Sequence, residues 1–526
     1  MKTILPTALS VILFSLPIQA EVTANALFGD NAVLQQGMKV PVWGTASAGE
    51  KVTVSFGGQK VEAVTKDGKW MVWLDRMKAD ATPKTMTISG GTNTLTYTNL
   101  LVGEVWVCSG QSNMERQLGP RNGQKPLANY EAEAASANYP ALRHFLVKQT
   151  ASTNPMTSLT GSWLVCSPDT VMNFTAVGYY FGRDLNKSLG VPIGLIHSSW
   201  GGTRAEGWTR TETMTSNPIL STILTDYTNS IASYPQALAK FNADLPKLQA
   251  DYTNACVAAK AAGKPAPRPP HSPGDPSKNP SSPARLYNGM IHPLIPYAMR
   301  GVIWYQGESN ANDAKRYREL FPTMITDWRT QWGEGNFPFL YVQIAPNHGI
   351  PPEIREAQLL TLKRTSNTAM AVITDHGDAN NIHPVEKEPV GQRLALAARA
   401  LAYGEKIEYS GPLFSGSRID GNKVVISFAH VGKGLVSKDG PLKGFVIAGA
   451  DKKFVPAQAE ITGETVTVSS PEVPAPVAAR YGWANVPDVN LYNKEALPAS
   501  PFRTDDWETA TNSSSPSPTP LPTPKK

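Results

Sequence analysis

Only three cysteines, Cys108, Cys166 and Cys256, occur in 526 residues. At most one bridge can form, which excludes a disulfide scaffold, and the paired thiols of a zinc site are missing. Charge is also scarce: 17% of residues are ionised, the net charge is +6, and the lysines and arginines are scattered rather than gathered in a stripe. Nucleic acid is therefore not expected as a partner. Beyond residue 20 no apolar run is long enough to cross a bilayer. Within Met1–Ala20, Lys2 precedes an apolar run from Ile4 to Ile18, and small Ala20 stands before Glu21. This is the pattern of a secretory signal peptide cut after Ala20, so the mature chain is expected in the periplasm or the medium, with no membrane association.

What the chain does have is apolar residues, 41% of the total, enough for two or three domains with proper cores. From residue 21 to 101 short alternating strands such as Val52–Phe56 and Lys69–Leu74 are separated by Gly57-Gly58, Asp67-Gly68 and Gly90-Gly91, which predicts a small antiparallel sandwich. From 102 to 404 apolar runs (Val105–Cys108, Ile193–His197, Gly301–Tyr305, Phe339–Gln343, Ala369–Thr374) alternate with helical stretches such as Ala176–Leu189. That grammar predicts a parallel sheet covered on both faces, with ligands at the carboxyl ends of its strands. An insertion at about 211–284 interrupts it. The polar, alanine-rich run Thr213–Ala262 and the Pro/Ser-rich stretch Gly263–Pro283 read either as a helical hairpin over the site or as a solvated spacer. Strands return over 405–508 as a second β-rich region, and the Ser/Thr/Pro tail 509–526 is expected to be disordered.

Four segments follow predicted strands of the central region. The first carries Ser112 and Asn113 after Gly110 and Gln111, leaving a serine exposed where a nucleophile can work. The second is His197–Thr203, whose Gly201-Gly202 pair lets backbone N–H groups approach a ligand. The third, Trp304–Asn310, places amides and a carboxylate at the mouth of an apolar strand, where burial is costly without use. The fourth, Asp375–Pro384, offers His376 and His383 with carboxylates nearby, the usual means of activating a hydroxyl. Of the eight histidines, His383 is singled out as base; His197 and His292 fit core or loop hydrogen bonds, and His376 a supporting place. Cys108 fits a buried small apolar residue. No metal is expected, since only the fourth segment has any density of ligand types.

Taken together, Gly110–Met114, Ser199–Thr203, Leu286–Ile291, Gly301–Asn310, Phe339–Pro346, Arg355–Gln358 and Asn381–Pro384 resemble the sialate O-acetylesterase family of the SGNH hydrolase superfamily. The resemblance covers nearly the whole mature chain. It implies an α/β, flavodoxin-like three-layer α/β/α catalytic domain with accessory β-sandwich regions, and a serine esterase that removes acetyl groups from carbohydrate without a cofactor. Carried over by position, Ser112 is the nucleophile and His383 the base. The backbone N–H of Ser112, an N–H of Gly201 or Gly202, and the side-chain amide of Gln306 are the oxyanion donors, with Asn310 as the alternative amide. The superfamily's aspartate position, three residues before the histidine, is Asn380 here; Asp378 is the better third member, with Asp375 behind it. Gln111, Asn113, Trp200, Arg204, Asn288, Glu308 and Asn310 are the side chains expected around the substrate.

Two substrates suit this reading. Sialic acid is anionic and calls for an arginine, for which Arg116, Arg204 and Arg355 are available; acetylated xylan or xyloglucan calls for aromatic platforms, for which Trp200, Trp208 and Tyr287 are available. A monomer is expected. The reading from another class is a secreted carbohydrate-binding protein that has lost catalysis.

Overall fold

The structure is a computed structural model describing residues 21–509. The proposed signal peptide and all of the tail after Thr509 lie outside the described residues.

Seven strands make the central layer: Thr94–Gly110 (β1), Tyr139–Leu146 (β2), Trp163–Cys166 (β3), Ile193–Ser199 (β4), Gly301–Tyr305 (β5), Phe339–Gln343 (β6) and Thr368–Val372 (β7). Their spatial order is β3-β2-β4-β1-β5-β6-β7. Every neighbouring pair is parallel except β3 on β2. Burial on both faces is what allows these strands to be apolar throughout rather than alternating, and every residue of β4, β5 and β6 is buried. Five helices matter to the layers and the insertion: Ala176–Leu189 (α1), Ser221–Ala261 (α2), Ala314–Trp332 (α3), Pro352–Arg364 (α4) and Glu388–Leu401 (α5). The pairs α1/α5 and α3/α4 pack against each other and form the outer layers. Between α3 and the sheet, Trp304 meets Trp208 and Trp328 edge-on, with ring centroids 5.9 and 5.7 Å apart.

With the β2 and β3 edge set aside, β4-β1-β5-β6-β7 is the flavodoxin-like order in which the second strand lies outside the first and the later strands continue on its other side. Connections from β1 therefore leave in opposite directions, which opens a crevice at its carboxyl end. Ser112 stands two residues beyond that end.

The boundary expected at 101/102 lies inside one continuous strand. The first half of β1 pairs with Asp80–Ser89, Leu101–Gly103 pairs with Val33–Gln35, and the second half enters the central sheet. The strand that delivers the serine is thus anchored in both regions. Strands from Leu413 to Arg503 pair only among themselves, so the two β-rich regions share no sheet.

The insertion is not a helical hairpin. Its first arm, α2, is 41 residues long with Ile223 alone buried, a span of about 60 Å at 1.5 Å per residue. The returning residues 262–283 can cover at most about 75 Å. They come back as a largely irregular, proline-rich strand, holding only the short turn Pro276–Lys278 before that segment rejoins the body at Ala284, whose N–H donates to Glu206 O. Prolines at 265, 267, 269, 270 and 273 suit such a strand and forbid a second long helix.

Candidate active site

The turn after β1 is shaped by contact with β5. Gly110 has φ +135°, and a Cβ there would sit 2.2 Å from Tyr305 O. Only glycine fits, and it lets the Gln111 N–H donate to Tyr305 O at 2.9 Å. Gln111 is buried and its side-chain oxygen accepts from the N–H groups of Gly307 and Ser309, at 3.4 and 3.2 Å. It ties the first segment to the third rather than facing a substrate. Ser112 then opens the single helical turn Ser112–Glu115, half-buried, with its hydroxyl 2.9 Å from His383 Nε2.

His383 lies on the loop between β7 and α5. Its backbone N–H donates to Asn381 Oδ1 at 3.0 Å, which fixes the approach of the loop. Burial pushes its imidazole down to about 4, and the positive charges of Lys387, Arg121 and Arg116 push in the same direction. The ring is therefore neutral at neutral pH, the state a general base needs.

The expected aspartates are elsewhere. Asp378 Oδ1 accepts from the N–H groups of Asn380 and Asn381 at 2.9 and 3.1 Å, and Oδ2 is 3.4 Å from Lys125 Nζ. Asp375 forms a two-pronged pair with Arg393, each contact 2.7 Å. Neither touches His383, and among the described residues no carboxylate is hydrogen-bonded or ion-paired to its ring. The structure brings together a serine and a histidine without the third member.

The oxyanion donors also sort themselves by partner. Gly201 donates its N–H to the Glu115 carboxylate, whose other oxygen is paired to Arg121 at 2.7 Å. A Cβ on Gly201 would lie 2.6 Å from Glu115 Oε2 and 3.2 Å from Ser112 Cβ, so a larger residue there would press on the carboxylate and on the serine turn. The N–H groups of Ser112 and Gly202 have no acceptor among the described residues. Gln306 is not free to donate: both its Nε2 hydrogens are taken, by Thr203 O at 3.3 Å and Asn310 Oδ1 at 2.7 Å. Asn310 accepts from Ala205 N–H and donates one Nδ2 hydrogen to Glu206 Oε2 at 2.8 Å, which leaves its second Nδ2 hydrogen without an acceptor among the described residues. These two amides hold the second and third segments together, and the available donors are the two backbone N–H groups and the second Asn310 Nδ2 hydrogen.

Several side chains expected at the substrate are likewise engaged. Asn288 donates to Ser152 O and Thr153 O, and Arg204 is paired with Glu206 and, at 3.0 Å, with Asp313. Asn113 and Glu308 bond to each other at 2.6 Å in the interior. Trp200 keeps a partly exposed face, whereas Trp208 and Tyr287 are core residues. Three functional candidates escaped sequence reasoning. Glu115 sits three residues after Ser112, on the same helical turn, and Arg121 pairs with it. Lys387, four residues after His383, is buried with its Nζ on Asn113 Oδ1. The i+3 spacing of Glu115 from Ser112 on one helical turn was legible, but His383 and Lys387 lie on a loop, where spacing carries no such signal.

Cys108, Cys166 and Cys256 are free thiols; Cys108 lies inside the sheet, where burial pushes its thiol far up. No group of three or more His, Cys, Asp or Glu side chains among the described residues could hold a metal.

A flavodoxin-like sheet with a Ser–His pair at its switch point and accessory β regions is the architecture of an SGNH-type esterase. Residues 278–399 match the model of the sialic acid-specific acetylesterase family of carbohydrate esterases. The sialate O-acetylesterase of Pongo abelii is 30% identical over 532 residues, covering 91% of each chain, and that of Rattus norvegicus is 34% identical over 419 residues, covering 71% of this chain and 72% of its own. A carbohydrate acetylesterase of Xanthomonas citri, known as a crystal structure, superposes with a TM-score of 0.78 at 37% identity, over 93% of this chain and 100% of its own. The chain belongs to the sialate O-acetylesterase family and is a carbohydrate O-acetylesterase. The alternative of a binding protein without activity falls away.

Proposed function

We propose that the enzyme works by serine catalysis through an acetyl-enzyme. The observation that carries this is the 2.9 Å contact between Ser112 Oγ and a neutral His383 at the carboxyl end of β1. His383 takes the hydroxyl proton as Ser112 attacks the acetyl carbonyl. The Ser112 and Gly202 N–H groups receive the developing oxyanion, and the protonated imidazole then gives its proton to the departing sugar oxygen, which leaves as a hydroxyl. In the second half His383 draws a proton from water as it attacks the acetyl carbonyl, the bond to Ser112 Oγ breaks, acetate leaves, and His383 returns the proton to Ser112. The chemistry as written calls on no metal or organic cofactor.

For the sugar, the reading supported best is a neutral acetylated polysaccharide such as xylan or xyloglucan. Arg116 donates to the backbone oxygens of Gln117, Gly119 and Lys125; Arg355 is buried against Ala484 O and Asn485 O; Arg204 faces two carboxylates; and Arg121 is paired with Glu115. Each of these four guanidinium groups is already engaged with a carboxylate or with backbone oxygens, and Trp200 offers one apolar face. The names of the curated relatives favour sialic acid instead, and on that reading the substrate would take Arg121 from Glu115. Acetate release from acetylated xylan and from O-acetylated sialic acid, measured side by side, tests the choice: a kcat/KM higher on sialic acid overturns the neutral-sugar reading. Export is part of the same proposal, and a mature protein beginning at Glu21 outside the cytoplasm is its expected signature.

A further inference from the structure

Asn113 follows the nucleophile and is completely buried. Its amide bonds to three groups on two stretches of chain, the loop after β5 and the run from Ile382 to Lys387. Nδ2 donates to Glu308 Oε1 at 2.6 Å and to Ile382 O at 3.0 Å, while Oδ1 accepts from Lys387 Nζ at 2.5 Å. Glu308 belongs to the loop after β5, Ile382 immediately precedes His383, and Lys387 is the residue just before α5. An amide can be turned either way in a pocket, but a carboxylate only accepts and an ammonium only donates. Glu308 on one side and Lys387 on the other therefore fix its direction, and the fixed direction aims the second Nδ2 hydrogen at the carbonyl beside the base.

Glu308 and Lys387 are both buried, with burial raising the carboxyl and pushing the ammonium down to about 7. The remaining Glu308 oxygen has no partner. Such a pair is costly to place in the interior, and its retention calls for a use. The use is visible in what His383 lacks. In a complete triad a carboxylate orients the imidazole, and here Asp378 and Asp375 are engaged elsewhere.

We propose that Asn113, clamped between Glu308 and Lys387, is the positioning residue that registers the His383 loop against the Ser112 turn in place of an orienting carboxylate. The inference rests on the Ser112–His383 reading. Asn113 touches neither substrate nor the reacting atoms; it acts through Ile382.

The test is the steady-state kinetics of Asn113→Leu, which keeps the volume, and Asn113→Ala, beside Ser112→Ala. A misplaced reacting group costs about 10²-fold, so kcat for both Asn113 variants is expected to fall by about that factor, with KM changed less than about threefold and the folded fraction at assay temperature unchanged by circular dichroism. The paired variant Glu308→Gln/Lys387→Gln keeps the shapes and removes both charges, and serves if the Asn113 variants do not fold. It is expected to lose part of kcat and to raise the acid limb of kcat/KM, because Lys387 no longer faces His383 while Arg121 and Arg116, the other cations there, remain. Unchanged kcat in Asn113→Leu, a loss in KM alone, or a loss matching the unfolded fraction overturns the proposal, as does a paired variant with unchanged kcat and limb. Activity surviving in Ser112→Ala would instead overturn the serine reading beneath it.

Discussion

Replacing Asp378 by asparagine separates this site from a complete triad. Asp378 accepts from two backbone N–H groups within its own loop and lies 3.4 Å from Lys125, with no bond to His383. Asparagine preserves an acceptor in the same place, so the turn leading to Asn381, which receives the His383 N–H, is kept. The lost charge is already partnered by Lys125 and screened by solvent, so its influence on the imidazole is small. The account therefore predicts a change in kcat/KM at pH 7 of less than about threefold. An aspartate that truly orients the base is worth about 10⁴-fold in kcat when changed to asparagine. The two expectations differ by more than three orders of magnitude, far outside assay error. Hydrolysis of p-nitrophenyl acetate by the purified variant measures it, with Asp375→Asn as a parallel case. A loss of 10³-fold or more in Asp378→Asn would refute the reasoning and place Asp378 on His383 in the working enzyme.

Other outcomes follow from the same geometry. Because His383 must be neutral to act and is pushed down to about 4, kcat/KM should stay level from neutral pH toward about pH 4 and fall only below it, rather than near the ordinary imidazole value of about 6.5; a limb near 6.5 in the pH profile would contradict this. The folded value lies below the unfolded one, so the stability His383 contributes is present above about pH 6.5 and is lost as pH falls through that window to about 4, which acid unfolding can follow. Gln306→Leu leaves buried partners unsatisfied, at about 1–3 kcal/mol each; it should lower the unfolding midpoint while kcat of the folded enzyme falls less than the roughly 10²–10³-fold expected for a lost oxyanion donor. Gly110→Ala adds left-handed strain and overlap with Tyr305 O, together roughly 2–6 kcal/mol, and should abolish soluble folded protein or sharply lower its melting temperature.

The frame of the site was legible because its signals are local. Apolar runs followed by glycine mark strand ends in a parallel sheet, and the four segments they mark do converge, with Ser112 and His383 in contact. What the sequence does not carry is the pairing of polar groups. Gln306, Asn310, Asn288 and Arg204 were candidates because buried amides and charges need a use, yet most of their bonds go to partners in segments 103 to 135 residues away. Trp208 and Tyr287 read as platforms for the same reason that they are core: composition does not say which face is covered. Lys387 shows the converse, a lysine among ordinary helix-capping residues that only the fold turns inward onto Asn113.

The central claim, that Ser112 carries the acetyl group, is tested most directly by quenching the enzyme during turnover of an acetyl ester and mapping the modification by mass spectrometry. The account predicts one acetyl group on the peptide containing Ser112 and none in Ser112→Ala, with hydrolysis reduced to background. Acetyl on another residue, or turnover that persists in Ser112→Ala, would contradict it.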